Sequence, residues 1–303
     1  MMSVSRLSIG MASLVALSGF VSPPIAIGQD FENAVIETRE VAGNVYALFG
    51  PGGNIGVSVG DDGMLIVDDL FAPLTERIRE ALGELGEGKV EFLLNTHWHP
   101  DHTGANPDWG ATVPIVAHHN VRHRLATQQE VLGMTYGPLP AEALPVLTFS
   151  DSLSIHFNGE EIRAIHLPGG HTDGDIVVWF TQSNVVHMGD LFFNGMFPFI
   201  DFGSGGDVLR FTENVGALLD RIPDDARIIP GHGPVADLED LRRFHTMLIE
   251  TTATVRGHVE AGKTLEDIQA EETFDDYPGW GDVFITAPQW IAMIHASLTR
   301  EDA

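Results

Sequence analysis

Residues 92–102 read FLLNTHWHPDH and combine a short apolar strand with a dense group of potential metal ligands. Three imidazoles and one carboxylate fall within six residues, at His97, His99, Asp101 and His102. Such a group does not suit a protein core, because each polar side chain would need its own buried hydrogen-bond partner. A turn of this length can instead direct several ligands at one or two points in space. The alternative interpretation is a histidine-rich surface loop.

The ligand types favour zinc. Because the chain has no cysteine, a metal must be bound by His, Asp or Glu. Zinc accepts neutral imidazole nitrogen and carboxylate oxygen, and a catalytic zinc keeps one position open for water beside three protein ligands. Four ligand groups exceed the needs of one such site, so a second site is expected. Three later residues complete it, each near a glycine that lets the backbone turn tightly and each predicted to end a strand: His171, Asp190 and His232.

The segment before residue 92 predicts a strand–helix–strand unit. Strand patterns cover 45–49, 56–59 and 64–67. The Asp61-Asp62-Gly63 turn joins the last two as a hairpin. Apolar residues three to four apart predict a helix over 74–85 that ends before Gly86. Strand 92–94 follows, and in such βαβ sheets the functional site lies beyond the carboxyl ends of the strands.

The second half repeats this mixture in another order. Two strand pairs are expected, 153–157 with 161–167 across Asn158-Gly159, and 176–180 with 184–188. Helical patterns follow at 208–221, 237–261 and 288–299. Two halves that each place helices on one side of a sheet predict an α+β or α/β fold, a four-layer αββα sandwich in which the two sheets face each other.

The motif His-x-His-x-Asp-His, followed by His171, Asp190 and Gly231-His232-Gly233, resembles the metallo-β-lactamase superfamily of binuclear metal hydrolases. The resemblance covers residues 40 to 250 and implies that family's αββα fold, with two zinc ions per chain in the cleft between the sheets. It assigns the first zinc to His97, His99 and His171, the second to Asp101, His102 and His232, and a bridging position to Asp190. It also implies an acidic residue behind these ligands, for which Asp68 and Asp69 are both candidates.

The implied chemistry is hydrolysis of an amide or ester bond. Two zinc ions that share a water lower its pKa from 15.7 toward about 7 and so provide hydroxide at neutral pH. We assign Asp101, as a hypothesis, a catalytic role in orienting this nucleophile or passing its proton onward. An iron-dependent oxidoreductase branch is the less favoured alternative, because its flavin-coupled members replace the second histidine of the motif, here His99, by glutamate.

Within the family, the specific reaction is ambiguous. Absence of cysteine and presence of His97 exclude two β-lactamase subclasses, so the chain resembles the all-histidine subclass. Asp190 departs from that subclass and is typical of lactonases and thioesterases. We expect β-lactam ring hydrolysis as the leading activity, because export would place the enzyme where β-lactams act. Hydrolysis of a lactone, ester or thioester is the alternative.

The first 28 residues predict a secretory signal. Arg6 precedes an apolar run over 7–21, and Ala26-Ile27-Gly28 offers small residues at a cleavage site. The run is shorter than the ~20 residues that span a bilayer, so no stable membrane anchoring is expected after cleavage. The mature chain, 29–303, is predicted to be a single domain in the periplasm or outside the cell. Its oligomeric state does not follow from the sequence.

The charge balance excludes nucleic acid as a partner and favours a small-molecule substrate. Forty-three acidic residues against 16 basic ones give a net charge of −27, whereas phosphate binding needs clustered Lys and Arg. Near the predicted ligands only Arg163 and Arg210 are basic, so a clamp for an anionic substrate is not expected. Nine apolar residues are candidates for the wall of an apolar cleft: Phe71, Met134, Tyr136, Phe192, Phe193, Met196, Phe197, Phe199 and Trp280.

One competing motif is the sequence 56–60, GVSVG, which satisfies the G-x-S-x-G pattern of a nucleophile elbow. That elbow requires a strand-to-helix turn. Here the stretch runs into the turn at 61–63 and another strand, so Ser58 is predicted to be an ordinary strand residue.

Overall fold

The structure is a computed structural model that describes residues 31–300. The predicted signal segment, residues 1–28, lies outside the described residues. Between residues 31 and 300, no helix combines the length and apolar character needed to cross a membrane.

The described chain alternates strands and helices. The strands are β1 (Glu37–Ala42), β2 (Val45–Phe49), β3 (Asn54–Gly60), β4 (Gly63–Val67), β5 (Val90–Leu94), β6 (Ile115–His118), β7 (Gln129–Val131), β8 (Met134–Tyr136), β9 (Leu147–Phe149), β10 (Ser152–Phe157), β11 (Glu160–His166), β12 (Ile176–Phe180), β13 (Val185–Phe193) and β14 (Arg227–His232). The helices are α1 (Thr75–Leu85), α2 (Pro100–Thr103), α3 (Asn106–Trp109), α4 (His119–Leu125), α5 (Val208–Leu219), α6 (Leu238–Glu260), α7 (Leu265–Glu271) and α8 (Ala287–Thr299).

Two mixed sheets carry the fold. The first has the order β1-β2-β3-β4-β5-β6-β9, antiparallel as far as β4 and parallel from there on. The second has the order β10-β11-β12-β13-β14, and only its last pair is parallel. Strands β7 and β8 form a separate hairpin.

Apolar side chains point alternately to the two faces of the central strands, which explains why each sheet packs against a layer on both sides. In β4, Leu65 and Val67 join the core between the sheets, whereas Met64 and Ile66 pack against α1 on the outer face. Phe180 and neighbouring residues of β12 face the same inter-sheet core from the second sheet. Helices α5, α6 and α8 cover the other face of that sheet through a third apolar cluster. This layering confirms the four-layer αββα sandwich.

The bounds of most predicted strands and helices agree with the structure to within one to three residues. One strand is longer than predicted, and several elements were not predicted. Strand β13 continues past the predicted end at residue 188 to Phe193, so Asp190 lies within a strand and not at its end. The extension is possible because Gly189, with φ of 50°, forms an irregularity in the pairing with β14. The sequence patterns missed the polar edge strand β1, the short strands β6 to β9, and the short helices.

Candidate metal centre

The seven predicted ligands come from both halves of the sandwich and meet at one edge of it. His97 and His99 follow β5, and Asp101 and His102 lie in the short helix α2. The other three come from the turn after β11, from β13 and from the end of β14: His171, Asp190 and His232. Because β4, β5 and β14 all end at this edge, the chain reversals after them bring distant residues together.

The structure divides these side chains into two groups. Ligand atoms of His97, His99, His171 and Asp190 all lie within 4.8 Å of one another, and all four residues are buried. Ligand atoms of Asp101, His102 and His232 form a second group by the same measure. Apart from Asp190, which the resemblance placed between both ions, each group contains the residues that the resemblance assigned to one zinc.

Asp190 lies between the groups. Its Oδ2 atom is 3.4 Å from Nε2 of His171 and 3.4 Å from Nε2 of His232. Its Oδ1 atom is 3.1 Å from Nε2 of His102, and its Oδ2 is 3.8 Å from Nε2 of His97. One carboxylate thus faces imidazoles of both groups, which is the geometry of a bridging ligand.

Hydrogen bonds behind the imidazoles fix their tautomers. The Thr96 hydroxyl donates to Asp68 Oδ2 at 2.8 Å, so it accepts from Nδ1 of His97, which is 3.0 Å away. Nδ1 of His102 lies 2.7 Å from Asp68 Oδ2, a carboxylate oxygen that can only accept. In both residues Nδ1 therefore carries a proton, and Nε2 faces the centre.

The first group repeats this arrangement. Nδ1 of His171 donates to the backbone carbonyl of Phe199 at 2.8 Å, which leaves Nε2 bare. His99 is reversed, since its Nε2 lies 3.0 Å from Asp201 Oδ2 and its Nδ1 faces inward. The bare nitrogens of His99 and His171 are only 2.8 Å apart. Two converging lone pairs at this distance call for a cation that accepts both.

Two polar atoms of the ligand groups lack hydrogen-bond partners. Nε2 of His97 and Oδ1 of Asp190 are buried and make no hydrogen bond among the described residues. Unsatisfied buried polar atoms are rare in folded proteins, and an ion is one of the few explanations for them. The donor set, imidazole nitrogens and carboxylate oxygens, is one that zinc accepts. The residues present therefore fit a metal centre.

The electrostatics suit cation binding. Burial lowers the pKa of His97 well below its usual value and that of His171 to about 4, so both are neutral at pH 7. Burial alone would raise the pKa of Asp190, but the His232 and His102 imidazoles hold it well below its usual range. His97 and His171 are therefore in the neutral form that metal binding requires. Although burial opposes it, Asp190 raises the pKa of His102 well above its usual value and that of His232 to about 9, so these two imidazoles give up a proton when a cation binds.

Two glycines keep the centre open. A Cβ atom at position 231 would lie 2.0 Å from Asp190 Oδ1, and one at position 53 would lie 2.3 Å from Cε1 of His102. No real side chain tolerates such contacts, so Gly53 and Gly231 allow the backbone to approach the ligands.

Residues 48–232 match the family described as the Metallo-beta-lactamase superfamily. The chain belongs to the metallo-β-lactamase superfamily. The match includes all seven ligand positions and covers most of the two sheets. Members of this superfamily bind metal ions and include hydrolases, which agrees with the His and Asp groups described above.

Individual superfamily members resemble the chain at lower identity. The "Metallo-beta-lactamase type 2" of Bacteroides fragilis is 23% identical over 209 residues, which are 64% of this chain and 79% of that protein. A "Hydroxyacylglutathione hydrolase" of Rhodospirillum rubrum is 29% identical over 161 residues, 52% of this chain and 54% of that protein. A solved metallo-β-lactamase from Pontibacter korlensis superposes with a TM-score of 0.59 at 19% identity, over 70% of this chain and 98% of that one. This last likeness shows the fold alone.

Of the two acidic candidates behind the ligands, Asp68 and Asp69, one contacts a ligand. Asp68 contacts His102 as described and also accepts a hydrogen bond from the Thr96 amide at 2.7 Å. Asp69 instead accepts from the Ala105 amide at 3.1 Å, and burial raises its pKa well above the usual value. The supporting carboxylate is therefore Asp68.

Sequence reasoning missed Asp201. This residue lies in the loop after β13, where its Oδ2 contacts His99 and its Oδ1 accepts from the Ser204 amide at 3.1 Å. The one available signal was an Asp three residues before a Ser in a glycine-rich loop, which is typical of a cap and does not indicate a metal centre.

A cavity of about 330 Å³ opens over the ligands. Five of the nine apolar candidates line it: Phe71, Met134, Tyr136, Met196 and Phe199. The other four are buried in the core: Phe192, Phe193, Phe197 and Trp280. The loop before α8 adds Val283 and Phe284, and the hairpin β7–β8 adds Val131 and Leu132.

The cavity carries no Lys or Arg among its described lining residues. Arg163 and Arg210, the two basic residues near the ligands in sequence, instead pair on the surface with Glu161 and Glu213. The charges at the cavity floor come from Asp101 and Asp190 and from imidazoles.

The competing serine motif has no catalytic geometry. Ser58 is buried within β3, which passes through a turn into β4, and its hydroxyl accepts a hydrogen bond from the Asn158 side chain at 3.1 Å. The prediction of an ordinary strand residue is confirmed.

Proposed function

We propose that the chain is a zinc hydrolase that binds two ions and cleaves neutral, apolar esters or lactones. The observation that carries the proposal is the position of Asp190, which faces imidazoles of both ligand groups over a cavity without cationic side chains. His97, His99 and His171 would hold one ion, Asp101, His102 and His232 the other, and Asp190 both.

The ions, when bound, supply Lewis acidity that activates water near neutral pH and polarises a carbonyl group. The protein contributes orientation. Asp101 lines the cavity and lies 3.4 Å from Nε2 of His232. Although burial opposes its ionisation, His102 and His232 lower the pKa of Asp101 to about 2. Its carboxylate is therefore ionised and placed to accept a hydrogen bond from the nucleophile.

Tyr136 is a second group that can act on substrate. Tyr136 lines the cavity, and its hydroxyl donates a hydrogen bond to the Met134 sulfur at 3.7 Å. Burial and the charge of Asp101 raise its pKa, so the hydroxyl keeps its proton at neutral pH. We assign it as a donor to the carbonyl oxygen of the substrate, where negative charge develops during attack.

The electrostatics of the cavity favour an uncharged substrate. Away from the ions themselves, a substrate carboxylate would meet an apolar cleft with no Lys or Arg on its described walls. Burying such a charge without a partner is costly. Penicillins carry a carboxylate, so this lining favours lactone or ester hydrolysis over the β-lactam reaction expected from the sequence.

β-Lactam ring opening is the second candidate. The similarity to the Bacteroides fragilis metallo-β-lactamase, over 79% of that protein, supports it. Export to the periplasm would also support it, and we retain export as a proposal. N-terminal sequencing of the protein recovered from fractionated cells tests that proposal, since a mature chain beginning near residue 29 is expected.

The proposed reaction is tested by comparing three substrates. Purified protein is loaded with zinc, its metal content is measured by elemental analysis, and a neutral aryl ester, a γ-lactone and a penicillin are compared at equal concentration. Two zinc ions per chain and preference for the ester or lactone are expected, with at least one ion lost in His97→Ala and Asp190→Ala. An unchanged metal count in both variants refutes the ligand assignment, and preference for penicillin refutes the substrate assignment.

A further inference from the structure

A second cavity lies beside the candidate metal centre. It occupies about 1120 Å³ between the tip of the β7–β8 hairpin, the segment 199–203 and helix α8. We refer to this space as the side groove, and its principal walls are Leu132, Met134, Phe199, Ile285, Ala292 and Ala296. It is more than three times the volume of the cavity over the ligands.

The two cavities share a wall. Leu132, Met134 and Phe199 line both of them, so a molecule that reaches the ligands has the side groove directly beside it. Phe199 also ties this wall to the centre, because its carbonyl accepts the hydrogen bond from His171 and its ring lies 5.9 Å from that of His99. The position of the side groove is therefore fixed relative to the reacting atoms.

The tip of the β7–β8 hairpin places an apolar side chain between the two cavities, although the backbone conformation there disfavours a bulky residue. Leu132 has φ of 52° and Gly133 has φ of 76°, which are the conformations of a two-residue type I′ turn. Asn and Gly adopt such angles readily, whereas a bulky residue there is an outlier. A strained leucine that faces two cavities indicates a role for its side chain in binding.

Helix α8 gives the side groove its length. Gln289, Ala292, Met293 and Ala296 recur at intervals of three to four residues and so form one face, and Thr299 and Arg300 continue it. From Gln289 to Arg300 this face extends about 16 Å at 1.5 Å per residue. The small side chains Ala292 and Ala296 leave room along it.

The walls of the side groove are mostly apolar, and Gln289, His295 and Thr299 on α8 are its uncharged polar lining residues. No carboxylate lines the side groove among the described residues, although acidic residues outnumber basic ones in the chain by 43 to 16. The one cation on its walls is Arg300 at the outer end, whose guanidinium lies over the Phe202 ring at 5.6 Å. An elongated hydrocarbon chain matches these properties.

From these observations we infer that the side groove binds the unbranched acyl chain of the substrate while the ester or lactone carbonyl lies at the metal centre. This inference rests on the proposed function for the reaction and on the shared wall for the geometry. It makes medium- and long-chain acyl esters or alkyl lactones the preferred substrate class.

The test compares chain lengths. The kcat/KM of the zinc-loaded enzyme is measured for 4-nitrophenyl acetate and 4-nitrophenyl octanoate, and the octanoate-to-acetate ratio is compared among variants. Each buried methylene is worth about fourfold in affinity, so a ratio of at least about ten is expected for the natural sequence. Ala296→Trp narrows the side groove and should lower that ratio toward one. Ala270→Trp, on the exposed surface of α7, is the matched control and should leave it unchanged.

A second variant distinguishes an effect on the side groove from an effect on folding. Leu132→Asn suits the type I′ turn better than leucine, so its melting temperature should not fall, while the octanoate-to-acetate ratio should fall. A ratio that is undiminished in both Ala296→Trp and Leu132→Asn overturns the inference. Hydrolysis of acetate without any preference for octanoate overturns it as well.

A binding measurement separates the side groove from the reaction. 2-Undecanone is neutral and cannot be hydrolysed, and its binding is measured by calorimetry with zinc-loaded and metal-free protein. Binding in both forms that weakens at least tenfold in Ala296→Trp supports the inference even if no ester is hydrolysed, in which case the proposed function alone fails. Absence of ketone binding overturns the inference, as does a dimer of the natural chain that Ala296→Trp dissociates and the ketone does not.

Discussion

Oδ2 of Asp201 lies 3.0 Å from Nε2 of His99, and this contact turns the other ring nitrogen of His99 toward the metal centre. Nδ1 of His99 then faces Nε2 of His171 at 2.8 Å. The carboxylate also caps the short turn at 202–204 through the Ser204 amide. A residue outside the ligand set therefore determines which nitrogen of His99 is available to an ion.

Replacing Asp201 should weaken zinc binding. Outer partners of metal ligands typically contribute 10- to 100-fold in affinity, so Asp201→Ala should lose about that much in competition with a chromogenic chelator. Asp201→Asn keeps one oxygen where the carboxylate has two, so it can accept from His99 or from the Ser204 amide but not from both, and its loss of zinc affinity should be intermediate. Equal zinc affinity in all three proteins would show that the contact is irrelevant to the metal.

A methyl group at Gly231 should disturb the bridging position. The added Cβ would lie 2.0 Å from Asp190 Oδ1, so Gly231→Ala must displace that carboxylate or the strand that carries it. We expect fewer than two zinc ions per chain by elemental analysis. Gly257→Ala is the control, since a Cβ there meets nothing within 4 Å and helix α6 should gain roughly 0.5–1 kcal/mol. Full zinc occupancy in Gly231→Ala would contradict the arrangement described.

His118 should make the fold sensitive to acid. Its Nδ1 accepts from the Asn120 amide and its Nε2 lies 3.0 Å from the Ser150 carbonyl, so the folded ring is neutral. Burial, together with His166 and His119, lowers its pKa to about 4, below the value of 6.5 for a free histidine. Between pH 6.5 and 4 the unfolded chain takes up a proton that the folded chain does not, so stability falls as the pH falls.

Denaturant unfolding of metal-free protein measures this contribution. Compared with His118→Gln, the natural sequence should lose up to about 1.4 kcal/mol more per pH unit between pH 6.5 and 4. Above pH 6.5 the difference between the two proteins should be constant. Parallel stability curves across the whole range would show that His118 is not the group responsible.

Salt should stabilise the protein. The excess of acidic over basic residues, 43 against 16, produces repulsion in the compact state that mobile ions screen. Most ion pairs between fully charged side chains, such as Arg242 with Asp224, lie at the surface. Such pairs contribute little stability, so screening by salt removes little. The melting temperature should therefore rise with sodium chloride, and a flat or falling value would reject this explanation.

The sequence was most informative where periodicity and turn chemistry coincide. The turns at Asn158-Gly159 and Asp61-Asp62-Gly63 predicted two hairpins that the structure confirms. The ligand motif predicted a cluster because four ligand groups in six residues have no plausible place in a core. In contrast, β1 and the three-residue strands β7 and β8 carry too few apolar residues to produce a detectable period, and only pairing with neighbours defines them.

Apart from the convergence of the seven ligands, which the family resemblance implied, contacts between distant segments could not be predicted. Asp201 and His99 are 102 residues apart, and no local pattern connects them. The same limit applies to the cavity walls, since Phe199 lines the cavity whereas Phe197, two residues earlier, is buried in the core. Spacing in sequence identified the candidate ligands, but only tertiary packing determines which carboxylate supports which imidazole.

The central claim is that two cations are held by seven side chains from both halves of the sandwich. It is tested most directly by a crystal of the zinc-loaded protein measured at the zinc absorption edge. Two anomalous peaks are expected, one among His97, His99 and His171 and one among Asp101, His102 and His232, with Asp190 between them. An empty centre, or a single peak outside these side chains, would contradict it.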